Sequence, residues 1–139
     1  MVVNTRHMVV KCEYQSGMLS RGNTRGRQQV TSYSGQGCLK QISIRFDGGN
    51  SDVADSYVEV DYDGSSVVYP SPKEIHESHR ANTSGTTCVN ITTYQSSNYH
   101  TYGCFVRPES QFNNSLTIVV HNGDDLSKTM YHCMVVYNE

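Results

Sequence analysis

Cys38-Leu39-Lys40-Gln41-Ile42-Ser43-Ile44-Arg45-Phe46-Asp47 is the stretch whose period decides the fold. Ile42, Ile44 and Phe46 recur at every second residue on the face that also carries Cys38 and Lys40. Leu39, Gln41, Ser43 and Arg45 take the other face. Successive side chains of a strand point to opposite sides, so this is a β-strand with one apolar face to bury. Such a strand needs a sheet, and the apolar face of a sheet needs a second layer against it.

The same period continues along the chain. Val58, Val60 and Tyr62 alternate with Glu59, Asp61 and Asp63, and Asp63-Gly64 suits a tight hairpin returning along Val67, Val68 and Tyr69 as far as Pro70. Leu116, Ile118 and Val120 alternate with Thr117, Val119 and His121 before Asn122-Gly123-Asp124-Asp125, a second turn signal. A final strand is predicted at Thr129–Asn138. Weaker ones are predicted at residues 7–14, 28–33, 86–94 and 102–107, each bounded by Gly, Ser, Asn or Pro. Residues 17–27, 47–55 and 70–85 read as loops, the last holding a short helix near 72–79. The expectation is an all-β fold: one antiparallel two-sheet β-sandwich domain over residues 1–139, jelly-roll-like, with about nine strands.

Composition agrees with a sheet-built core. Val 16, Thr 11, Tyr 10 and Ile 5 outweigh Leu 4 and Ala 2, so side chains that fit a pleated surface dominate over helix formers. The net charge of −2 provides no field to attract nucleic acid, which is not expected as a partner. No apolar run is long enough for a membrane span, and residues 1–7 lack the apolar core of a secretory signal.

The phrases Ser34-Gly35-Gln36-Gly37-Cys38-Leu39-Lys40-Gln41-Ile42, Val58-Glu59-Val60-Asp61-Tyr62-Asp63-Gly64 and Asn114-Ser115-Leu116-Thr117-Ile118-Val119-Val120 resemble jelly-roll domains of phage and viral accessory structural proteins. The resemblance covers residues 34–64 and 112–137. It implies a sandwich fold and a place in an assembly, and it carries over no site residue.

Candidate chemistry is sparse. Cys12, Cys38, Cys88, Cys104 and Cys133 form no C-x-x-C pair and read as small buried hydrophobes, or as one or two disulfides with Cys88 to Cys104 favoured. His76-Glu77-Ser78-His79 fails the zinc-protease motif, whose histidines stand four apart rather than three. Asp47, Asn50, Asp52 and Asp55 cluster oxygen donors in a Gly-containing loop, as a Ca²⁺ site requires; no other cofactor is expected. Arg21, Arg25 and Arg27 read as solubilising. Asn82, Asn90 and Asn113 head N-x-[ST] triplets, which matter only to a chain that enters a secretory lumen. Tyr94, Tyr99 and Tyr102 would supply stacking faces for cell-surface glycans.

No catalytic motif is matched. The expected function is therefore a non-enzymatic structural or attachment protein of a virion, phage tail or surface filament, located in the virion or outside the cell. Its partners would be further copies of itself and other proteins of the assembly. A carbohydrate-binding module or lectin is the alternative. The strand Met130 to Tyr137 is apolar on both faces and needs cover on both, which points to a homo-oligomer interface at Met130, Tyr131, Val135 and Tyr137.

Overall fold

A computed structural model describes residues 9–20, 26–81, 89–95, 100–123 and 128–139. Ten strands lie among the described residues: β1 (Val10–Leu19), β2 (Arg27–Ser34), β3 (Gly37–Gly48), β4 (Tyr57–Tyr62), β5 (Ser65–Val68), β6 (Val89–Gln95), β7 (His100–Val106), β8 (Ser110–Phe112), β9 (Ser115–His121) and β10 (Thr129–Asn138). A 3-10 turn (Ser51–Asp55) and one helix, α1 (Pro72–Ala81), complete the described elements.

One sheet has the order β1-β10-β3-β7-β6, with β8 also pairing β3; the other has the order β2-β9-β4-β5. All pairs are antiparallel, and four of them nest: β1 with β10, β2 with β9, β3 with β7, and β4 with β5. The chain is thus a long hairpin rolled over two facing sheets, which is the jelly-roll arrangement. Each of the nine strands read from the sequence has a counterpart, β1 running on to Leu19 and β6 covering Val89–Gln95, while residues 7–8 and 86–88 of those readings lie outside the described residues. The tenth, β8, has three residues, too few to show a period.

Ile42, Ile44, Phe46, Val58, Val60, Leu116, Ile118 and Val120, the core read from the alternation, are all buried. Leu39 is a correction. Strict alternation puts it outside with Gln41, yet it is fully buried. The ladder between β3 and β10 slips at this point: Val136 faces Gln41 while Tyr137 faces Leu39, leaving Lys40 unopposed. One extra residue at a β-bulge restarts the alternation in the opposite phase. Leu39 turns into the core, and Lys40 reaches Glu109, 2.8 Å away.

The helix is set by its first residues. Ser71 Oγ accepts the Glu74 N–H at 3.2 Å, and Glu74 Oε1 accepts the Ser71 N–H at 3.3 Å, a reciprocal cap with Pro72 at the first helical position. Ile75 on its inner side is buried in the core.

Asp63 and Gly64 form the expected hairpin turn, with φ of 56° and 92°. The Asp63 carboxylate also latches this turn to the β8–β9 connection, accepting N–H groups of Asn113, Asn114 and Ser115 at 2.6 to 3.0 Å. Those donors, the Asn113 N–H first, hold the carboxyl below the usual carboxylate range. A depressed pKa contributes stability above the unfolded-state value, and this is lost as pH falls through the folded value. Asp63→Asn is expected to lower Tm at neutral pH and to flatten the decline of Tm below about pH 4. Thermal melts across that range check it, and an acid decline as steep as in the wild type would show that the latch carries no linkage.

Candidate functional site

The site begins with the face choice of β10. Tyr131, Cys133, Val135 and Tyr137 point into the sandwich and are buried, while Met130, His132, Met134 and Val136 point out. Of the four expected interface residues, only Met130 is therefore available; Tyr131, Val135 and Tyr137 belong to the domain's own core. Two features of β1 explain the choice. Gly17 lies opposite Tyr131, and a Cβ there would come within 3.0 Å of its ring, so the missing side chain makes room for the tyrosine. The Glu13 carboxylate accepts the Tyr137 hydroxyl at 2.8 Å and the Thr31 hydroxyl at 3.1 Å, closing the seam between the sheets.

The outward residues of β1 and β10 form one patch. Tyr14 faces Met134, Ser16 faces His132, and Met18 faces Met130. Tyr14 is 65% exposed, Met18 50%, Met134 38% and Met130 37%. Two shallow hollows flank His132. One, of ≈ 260 Å³, is bordered by Tyr14, Ser43, Arg45, Thr92 and Met134 among others; the second, of ≈ 280 Å³, lies against Ser16, Met18 and Met130. A chain of polar contacts fixes this surface from below. The Tyr14 hydroxyl lies 2.8 Å from His132 Nδ1, His132 Nε2 lies 3.5 Å from Asp47 Oδ2, and Arg45 Nε donates to the same oxygen at 3.2 Å. Rigid polar support beneath flexible thioethers suits contact with another protein surface, because methionine repacks readily against different shapes.

The residues of the expected calcium loop are set on different elements, and only some of their oxygens meet protein partners, Asp47 Oδ1 being buried without one among the described residues. Asp47 is buried on the outer side of β3 and faces Arg45 and His132. Asn50 Oδ1 accepts the Asp52 N–H at 2.8 Å, capping the 3-10 turn, and Asp55 lies 3.9 Å from Lys73. Among the described residues, no three His, Cys, Asp or Glu side chains converge as a metal site.

The tyrosine platform is also rearranged. Tyr102 is buried, its hydroxyl 3.0 Å from His100 Nδ1, and Tyr94 packs edge-to-face on it. His76 of α1 stacks on Tyr94 at 3.9 Å between centroids, covering one ring face. Tyr99 lies outside the described residues, as do Asn82, Arg21, Arg25 and Cys88.

Cys12, Cys38, Cys104 and Cys133 carry free thiols, and Cys88, the other end of the favoured bridge, lies outside the described residues. Burial pushes the Cys104 and Cys133 thiols up to about 12, which keeps both protonated and unreactive. The interior offers no ligand room at the apolar slot between Ile42, Phe46, Val58 and Val106, whose ≈ 10 Å³ falls short of a comfortable water site.

No family model matches the chain, and no curated protein matches it. Among solved structures it is similar to PBCV-1 VP54, as fitted into a cryo-EM reconstruction of the virophage Sputnik, at 9% identity and a TM-score of 0.46, covering 99% of this chain and 44% of that one. It is also similar to a serine protease of Aeromonas sobria at 7% identity and a TM-score of 0.42, covering 95% of this chain and 27% of that one. The chain spans less than half the length of either. Likeness at TM-scores this low carries no argument about this chain. The jelly-roll reading therefore stands on the chain's own nested strand order. No helix among the described residues is long and apolar enough to cross a membrane.

Proposed function

We propose that this domain is a non-enzymatic structural or attachment protein of a virion or a comparable tail or filament assembly. It would be held to further copies of itself and to neighbouring proteins through sheet faces and edges. The observation that carries the reading is the contiguous exposed patch of Tyr14, Met18, Met130 and Met134, on a jelly-roll scaffold used by capsid and lectin domains alike. Apolar side chains paired across two adjacent strands differ from scattered surface residues, because together they can exclude water from a partner.

Light scattering on a sizing column tests it. The wild type is expected to form a defined oligomer. Met134→Lys is expected to weaken that oligomer while changing folding stability by less than about 0.5 kcal/mol, the usual range for a surface substitution. A strict monomer that binds on a glycan array would replace this reading with the carbohydrate-binding one.

A further inference from the structure

β1 stands at the border of its sheet. It pairs with β10 over its whole length, without a bulge, and among the described residues no strand lies on its other side. The hydrogen-bonding phase follows from Glu139, whose N–H donates to the Val9 carbonyl at 3.0 Å. Bonded and non-bonded pairs alternate along an antiparallel ladder. Lys11, Glu13, Gln15, Gly17 and Leu19 therefore turn their backbone groups toward β10. Val10, Cys12, Tyr14, Ser16 and Met18 turn theirs to the open edge. No proline interrupts the strand, and long edges of this kind are templates for another strand.

We propose that β1 pairs with β1 of a second copy, antiparallel across a two-fold axis through Tyr14, joining two six-stranded sheets into one continuous sheet. The proposal rests on the self-association reading above and names its partner and register. The strand is its own complement about Tyr14: Val10, Cys12, Tyr14, Ser16 and Met18 run apolar, small, aromatic, small, apolar. Val10 meets Met18 of the second copy, Cys12 meets Ser16, and the two Tyr14 meet at the axis. On the other face Lys11 meets Gly17 and Glu13 meets Gln15, so no like charges oppose. An axis through Glu13 would oppose two carboxylates, which destabilises a strand pair. An axis through Cys12 would overlap only Val10 to Tyr14. The Tyr14 axis satisfies every outward backbone group from Val10 to Met18. It also doubles the apolar patch, because the stripes of the two copies abut in a self-complementary contact.

The test uses the full chain with Cys12→Ser. In that background Tyr14→Cys brings two thiols together at the axis, at a Cα separation of roughly 5.5 Å, within disulfide range. Oxidation is expected to convert most chains to a covalent dimer, whereas Val68→Cys, on the border strand of the other sheet, stays monomeric. Ser16→Pro removes an outward N–H without touching a bond to β10 and is expected to abolish the dimer in light scattering. Should that variant fail to fold, Tyr14→Lys places two positive charges at the axis and is expected to do the same. An oligomer that survives both Ser16→Pro and Tyr14→Lys and gives no Tyr14→Cys disulfide overturns the edge pairing and leaves self-association standing. A wild type that stays monomeric at every concentration overturns both. A Cys12 disulfide dimer of the wild type, with none from Tyr14→Cys in the Cys12→Ser background, overturns the register.

Discussion

Leu39→Asp is expected to cost about 3–5 kcal/mol, a large fraction of the stability of order 5–15 kcal/mol that a domain of this kind has. Leu39 is fully buried beside the bulge, and a carboxylate there would find apolar neighbours and no water. Its neighbour is the internal control. Lys40 is half-exposed and holds only the surface ion pair to Glu109, so Lys40→Gln is expected to change stability by less than about 0.5 kcal/mol. Urea unfolding of the two variants separates them. A soluble Leu39→Asp protein with an unchanged midpoint would mean that the strand keeps strict alternation and that the bulge is absent.

The second large effect concerns a position where the backbone, not a side chain, sets the limit. Gly37 opens β3 opposite Phe112, and a Cβ on it would collide with the Asn138 carbonyl and press the Phe112 ring. The carbonyl belongs to β10 and cannot move without opening the sheet. Gly37→Ala is therefore expected to destabilise by about 3 kcal/mol, the upper end for an overpacked site. Gly49 is the contrast, since a Cβ added there would meet open space and its φ is not positive. Gly49→Ala is expected to be neutral or to stabilise by about 0.5 kcal/mol, through reduced freedom of the unfolded chain. Equal effects at the two glycines in calorimetry would contradict the close packing of β3 against β10.

These two sites also mark where the sequence stops being readable. The second half of β3, with β4 and β9, shows its faces openly, because Ile42, Ile44, Phe46, Val58, Val60, Leu116 and Ile118 keep period two between clear turn signals. Leu39 does not, since a bulge is a property of the pair of strands and leaves no mark in one of them. β10 shows that both its faces are apolar without showing which is inward; that depends on Gly17 and Glu13, far back along the chain. The reading of residues 17–27 as loop hid Met18, and with it the link between Tyr14 and the methionines of β10. Asp47, Asn50, Asp52 and Asp55 lie close in sequence, but Asp47 belongs to a strand face and Asn50 caps a turn, so their oxygens diverge. The stacking of His76 on Tyr94 arises only when α1 packs on β6.

The place of β10 in its sheet has a consequence for how the protein is made. This strand lies between β1 and β3, so the first and third strands synthesised cannot be joined into one sheet until the tenth has left the ribosome. A nested topology of this kind is dominated by pairings between residues far apart in sequence, and such folds form slowly because long loops must close before any contact rewards them. Throughout translation the nascent chain carries Tyr14, Ile42 and Phe46 on strands with open borders. A ribosome-held chain of this protein is therefore expected to keep these strand borders unpaired until residues 129–138 emerge.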